Sequence, residues 1–169
     1  MRRRVLLAAM LLGVAAVPAA GAQTVSLEAR FHESAGRAAA HPCAPPAFLC
    51  GRGGLEGFGA ATSTFEILTF TNLDPETSCA DTTIRYTITL ASGAGTLVLT
   101  ETGVVCFPGK STLAPGAMKS FGNPFRLTTT WTVTGGTGVF AGASGSGSAK
   151  THGAGDGGQT TLSGAITLS

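Results

Sequence analysis

The chain has 169 residues, with 11 Lys and Arg against 9 Asp and Glu, 25 glycines and four cysteines, which is one domain's worth of sequence and enough to bury a core. The near-neutral balance and scattered charges exclude a basic patch that grips nucleic acid or anionic lipid. Abundant Gly, Thr and Ser without long helix-forming stretches argue for an all-β domain.

Arg2, Arg3 and Arg4 precede the apolar run Val5 to Val17, and Ala20-Gly21-Ala22 supplies the small residues of a cleavage site. This pattern predicts a signal peptide over 1–22, cut before Gln23, and an exported domain over 23–169 in a periplasmic or extracellular setting. An apolar run of about 13 residues is shorter than the roughly 20 that cross a bilayer, so no stable membrane span is expected. Once the three arginines leave, eight basic side chains face nine acidic ones.

The mature sequence opens with alternation. Val25, Leu27, Ala29 and Phe31 oppose Ser26, Glu28, Arg30 and His32, as expected of a half-buried first strand over Val25 to Glu33. A loop over Gly36 to Gly54 follows, and Phe58 to Leu73 holds a long strand of mixed pattern that ends at the turn Asn72-Leu-Asp-Pro. Thr82 to Ala91 places Ile84, Tyr86, Ile88 and Leu90 on one face. Around Ser92-Gly93-Ala94-Gly95 the chain turns into Thr96 to Val105, where Leu97, Leu99 and Glu101 share a face.

Export makes disulfides the natural use of four cysteines, which allow three pairings. Cys79 and Cys106 lie almost equidistant from the hairpin turn and therefore face each other at its open end, where antiparallel neighbours approach closely enough for a bridge. Cys43 and Cys50 then close the proline-stiffened loop His41-Pro-Cys-Ala-Pro-Pro-Ala-Phe-Leu-Cys. A zinc site built from these thiols and His41 is the alternative. It lacks a paired C-x-x-C knuckle, and neither metal nor cofactor is expected.

Phe107 to Pro124, rich in Pro and Gly, is a long loop and a candidate rim or lid. Phe125, Leu127, Thr129, Trp131 and Val133 alternate inward in the next strand. The run Gly135-Gly-Thr-Gly-Val-Phe-Ala-Gly-Ala-Ser-Gly-Ser-Gly, in which Gly138, Ala141 and Gly142 flank Phe140, is dense enough in glycine to require positive φ or close backbone approach at Gly135, Gly136 and Gly138. Phe140 is its one large apolar group, a plug for a barrel end. A phosphate loop is the rival reading, but its Lys and Ser/Thr are missing and Ser144 to Ala149 reads as strand. Ser144 to His152, a Gly153-Ala-Gly-Asp-Gly-Gly turn and Gln159 to Leu168, with Leu162, Ile166 and Leu168 on one face, complete the chain.

Seven strands are clear, and splitting Phe58 to Leu73 at a bulge supplies an eighth. Pairing the first strand with the last removes the sheet edges, so the expected fold is a small antiparallel closed β-barrel of about eight strands, with a two-sheet β-sandwich as the alternative.

The run Trp131 to Gly147 resembles the strand-turn-strand element of the allene oxide cyclase and dirigent-like β-barrels, with its G-G-T-G-x-F-x-G-A-x-G pattern. The chain is also similar to small exported bacterial proteins that pair Phe-Gly-Asn-Pro-Phe, here Phe121 to Phe125, with Gly-Gly-Thr-Gly-Val-Phe-Ala-Gly-Ala, here Gly135 to Ala143. The resemblance implies a barrel and, in the cyclases, a glutamate working inside it. It covers 131–147 specifically and transfers no catalytic residue position by position.

The interior supplies candidates of its own. Tyr86 and Trp131 fall on inward phases and could wall a pocket for a flat apolar ligand, or be ordinary core aromatics. Glu101 and Glu66, in phase with Leu97 and Leu99 and with Leu68 and Phe70 respectively, are candidate carboxylates for proton transfer, or reach solvent at strand ends. His32, His41 and His152 fall on an outward phase, in a loop and beside a turn. Three roles follow: a secreted barrel that binds a small apolar molecule in its lumen, a cyclase or isomerase assisted by Glu101 or Glu66, or a surface protein whose outward Thr128, Thr130 and Thr132 meet a partner. Nothing specifies an oligomer.

Overall fold

The computed structural model describes residues 21–35, 43, 46–108, 124–154 and 157–169. Alternation of apolar and polar residues produces eight strands: β1 (Gln23–Ala35), β2 (Leu49–Leu55), β3 (Gly59–Asp74), β4 (Cys79–Leu90), β5 (Gly95–Cys106), β6 (Phe125–Gly138), β7 (Ser144–Ala154) and β8 (Gly157–Leu168). Each pairs antiparallel with its successor, and β1 pairs antiparallel with β8 from Gln23↔Leu168 to Ser34↔Gly157. The sheet therefore closes into a barrel with no free edge. The sandwich alternative is excluded by that ring. Residues 1–20 of the predicted signal segment, His41 and most of the Phe107 to Pro124 loop lie outside the described residues.

The eighth strand arises from an unexpected place. Phe58 to Leu73 does not split, because β3 runs unbroken with a register irregularity between Ile67 and Thr69. The additional strand is β2, drawn from within the Gly36 to Gly54 segment. Gly51, Gly53 and Gly54 hide its alternation, and packing explains two of them. A Cβ at Gly53 would strike the Arg30 carbonyl, and one at Gly51 would strike the Ser63 hydroxyl and the Glu33 side chain.

Both predicted disulfides form, Cys43–Cys50 across a separation of seven residues and Cys79–Cys106 across 27. Cys79 and Cys106 are direct partners in the β4–β5 ladder. This ladder end, together with the β1–β2, β3–β4, β5–β6 and β7–β8 connections, marks one mouth of the barrel. The opposite end holds the β2–β3, β4–β5 and β6–β7 turns.

Phe140 plugs that opposite end. Its ring is fully buried and packs on Phe58 with centroids 5.0 Å apart. Gly138 and Gly142 adopt φ of 59° and 70°, which side chains resist, and a Cβ on Gly136 would overlap the Phe140 carbonyl. Gly135 needs neither device, since a Cβ there would meet only Val98 at ordinary contact distance. Backbone bonds from Phe140 N to Thr137 O (3.1 Å) and from Ala143 N to Phe140 O (3.1 Å) lock the elbow.

The core fills the lumen with Leu27, Phe31, Ile88, Leu97, Leu99 and Ile166, all nearly inaccessible. Trp131 crosses the barrel above Gly147 and Gly164, where any Cβ would overlap the indole ring. These two glycines are partners on β7 and β8. They form a hollow that makes room for the largest side chain in the chain.

Candidate functional site

Two carboxylates lie inside this barrel. The β1 alternation that buries Leu27, Ala29 and Phe31 continues for one more inward position and places Glu33 in the lumen, 4% exposed. The carboxylate is well provided with donors. Tyr86 Oη on β4 donates to Oε1 at 2.7 Å, Thr160 Oγ1 on β8 to Oε2 at 2.8 Å, and Ser63 Oγ on β3 to Oε1 at 3.3 Å. Because the Thr160 hydroxyl hydrogen is engaged with Glu33, Thr151 on β7 must be the donor in the 2.9 Å Thr151–Thr160 contact. The chain of hydroxyls thus crosses from β7 to β8 to the β1 carboxylate and on to β4.

Burial pushes the Glu33 carboxyl above the ordinary carboxylate range, and the bonds from Tyr86, Thr160 and Ser63 oppose that rise without cancelling it. The Tyr86 phenol is pushed well above its ordinary value, by burial first and by the charge of Glu33 second. Replacing Tyr86 with Phe is expected to cost about 1.5 to 3 kcal/mol, the value of one buried hydrogen bond to a charged group. Unchanged denaturation of the variant would show that this bond contributes nothing.

Glu101 lies deeper. It is fully buried between its strand partners Ile84 on β4 and Trp131 on β6. Thr129 Oγ1 donates to Oε2 at 2.8 Å, while Oε1 is buried without a partner. Burial raises this carboxyl to about 7, the Thr129 bond works against the rise and the Glu33 charge adds to it. That value lies in the neutral range in which general acids and bases work.

The remaining predicted positions separate clearly. Glu66 does not enter the barrel. The irregularity between Ile67 and Thr69 ends the phase that Glu66 shares with Phe70, and its carboxylate instead pairs with Arg85 Nη1 on the outer wall at 2.8 Å. Leu68, at the irregularity, is 41% exposed. Tyr86 and Trp131 do face inward, where each is at most 1% exposed; Tyr86 is bound to Glu33, and Trp131 Nε1 donates to the Ser148 carbonyl at 3.0 Å. Thr128, Thr130 and Thr132 are outward and exposed, as are His32 and His152.

Open space occurs at the mouth. Leu49, Phe65, Ile67, Phe70, Ile84, Val105, Phe107, Phe125 and Leu127 surround a cup of about 20 Å³ in which Thr82 is the only polar lining residue. That volume holds about one water. Ile84 links the cup to Glu101, because it lines the one and is the strand partner of the other.

Sequence reasoning missed Glu33, Ser63, Thr151 and Thr160. The signal for Glu33 was present in the parity of the first strand, which puts residue 33 in phase with Phe31. The hydroxyls carried no such signal, since threonines and serines occupy both faces of these strands. Among the described residues, no helix is long and apolar enough to cross a membrane, and no three His, Cys, Asp or Glu side chains gather as a metal site.

The fold and site together define a disulfide-clasped, closed antiparallel β-barrel with two buried carboxylates and one apolar mouth. No family model matches the chain, and no curated protein matches its sequence.

Proposed function

We propose that this is an exported barrel that binds a small apolar molecule at the barrel end clasped by Cys79–Cys106. The observation that carries the reading is the apolar cup, nine of whose ten lining residues among those described are hydrocarbon or aromatic. Such a concave apolar surface with few polar groups is the usual form of a small-molecule site. The arginine-led, apolar N-terminal segment and the two disulfides support export into an oxidising compartment. The closed ring of eight strands and the Phe140 elbow support kinship with the allene oxide cyclase and dirigent-like barrels.

The filled lumen shifts the binding position from the barrel centre to the rim. Entry of a ligand displaces at most the single water that the cup accommodates, and a larger molecule meets the half-buried Ile67 and Phe70 at the cup instead of lying between Tyr86 and Trp131. Native mass spectrometry of protein purified from culture medium tests this directly by detecting a retained molecule. A Phe70→Arg variant, which introduces a charge into the cup, is expected to weaken binding of that molecule or of an apolar fluorescent dye by about tenfold or more. Equal binding by both proteins would remove the mouth as the site.

Glu101 favours a second reading, a cyclase or isomerase, because one of its oxygens has no protein partner and its carboxyl is raised to about 7. In that reading the acid sits one strand step below the cup and exchanges a proton with a substrate held in it. Incubating the retained molecule with the protein and with Glu101→Gln separates the two readings: conversion only by the unmodified protein supports catalysis, and no conversion by either supports binding alone.

A further inference from the structure

The small net charge of the chain conceals a segregation that only the strand register reveals. On the outer wall formed by β2, β1, β8, β7 and β6, one cross-strand row reads Arg52, His32, Gln159, His152 and Arg126. The next row reads Arg30, Thr161, Lys150 and Thr128. All of these side chains point outward, and the four cations are exposed. The third row is Glu28, Ser163, Ser148 and Thr130.

Of the five Lys and Arg among the described residues, four therefore share this wall, and only the fifth, Arg85 on the far side, is ion-paired. Glu28 is the single carboxylate in the three rows. Glu66, Asp74, Glu76 and Asp81 belong to β3, β4 and the turn between them, while the exposed Glu56 of the β2–β3 turn lies beside Glu28 at the edge of the wall, its N–H donating to the Glu28 carbonyl at 2.9 Å. The expectation of scattered charge is thus corrected by the fold, since residues remote in sequence meet at one level of the barrel.

The wall is also shaped. Glu28, Arg30, Ser148, Lys150, Thr161 and Ser163 line a hollow of about 460 Å³ on it. Adjacent strands lie about 4.8 Å apart, so Arg30 and Lys150 stand about 10 Å apart and the row from Arg52 to Arg126 spans about 19 Å. Hydroxyls alternate with the cations along the middle row, three hydroxyls follow Glu28 in the third, and the Gln159 amide lies at the centre of the first.

We infer that this wall is a docking surface for a linear carboxylated polysaccharide. Arginine forks donate two parallel hydrogen bonds to a carboxylate, and the intervening Thr161, Ser163, Ser148 and Gln159 supply donors and acceptors for sugar hydroxyls. A nucleic acid fits less well because the three rows offer no Phe, Tyr or Trp for base stacking, only the imidazoles of His32 and His152. A membrane fits less well because they present no apolar side chain to insert.

The probe is polygalacturonate, with neutral dextran of matched length as the comparison. Binding of polygalacturonate at low salt is expected, weakening steeply as salt is added. The combined variant Arg30→Gln, Arg52→Gln, Arg126→Gln and Lys150→Gln is expected to lose about tenfold or more in affinity with a flatter salt dependence, while Arg85→Gln binds as the unmodified protein does. If the combined variant fails to fold, the pairs Arg30→Gln with Lys150→Gln and Arg52→Gln with Arg126→Gln should each give a partial loss. The inference is overturned by equal affinity for dextran, by undiminished binding in the folded variants, or by tighter binding to single-stranded DNA or to anionic phospholipid vesicles than to polygalacturonate.

Discussion

Replacing Cys79 and Cys106 together with serine is expected to lower stability by about 2 to 4 kcal/mol, the usual range for a constraint of this loop size. The bridge joins residues 27 apart, so it removes many open conformations from the unfolded chain while the folded hairpin loses only one clasp. The β4–β5 ladder remains paired without it, from Ala80↔Val105 to Thr89↔Thr96, and the barrel should still form. For a domain of this size the change corresponds to a melting temperature lower by about 10 °C. Removing Cys43–Cys50, which closes only seven residues, should cost less, since loop entropy grows with loop length. An unchanged melting temperature in the Cys79 and Cys106 double variant would refute the assigned contribution.

Stability should also rise as the medium is acidified from pH 8 to pH 5. The Glu101 carboxyl ordinarily titrates at 4.5 and is raised to about 7 in the fold. Between those values the folded state holds a proton that the unfolded state has released. Stability is therefore fully present below about 4.5 and declines as pH rises toward 7, by about 3 kcal/mol across the window. Glu33, raised in the same direction by its burial, adds to the effect. Asp74 has the opposite sign, because bonds from the Thr77 hydroxyl and the Glu76 N–H lower its carboxyl below 3.8, so its influence falls at more acid pH. Glu101→Gln, which keeps an oxygen for Thr129 and cannot ionise, should flatten most of the pH dependence and be the more stable protein at pH 8. Thermal denaturation of both proteins at several pH values decides the matter. A wild-type melting temperature that climbs from pH 5 to pH 8 would contradict it, as would a variant that keeps the full slope.

Strand parity made a large part of this molecule legible. Ile84, Tyr86 and Ile88 on β4, Leu97, Leu99 and Glu101 on β5, and Phe125, Leu127 and Trp131 on β6 all point where their alternation placed them. Phe140 was legible for a different reason, since one ring among dense glycines has few places to go except the end of the barrel. Parity failed at Glu66, where a single irregularity after Ile67 breaks the inward phase. It also failed at β2, whose glycines erase the contrast between faces although neighbouring strands demand them.

What the sequence determined by itself was local and pairwise: which residues alternate, which glycines turn the chain, and which cysteines stand opposite each other across a hairpin. These follow from backbone sterics and the two-residue period of a strand, and need no knowledge of distant segments. Ring closure between β1 and β8, the meeting of Glu33 with Tyr86 and Thr160, the unpartnered oxygen of Glu101 and the gathering of four cations on one wall were decided only by tertiary structure. Each depends on register between strands that are far apart in the chain, and register is set by the packing of the whole barrel.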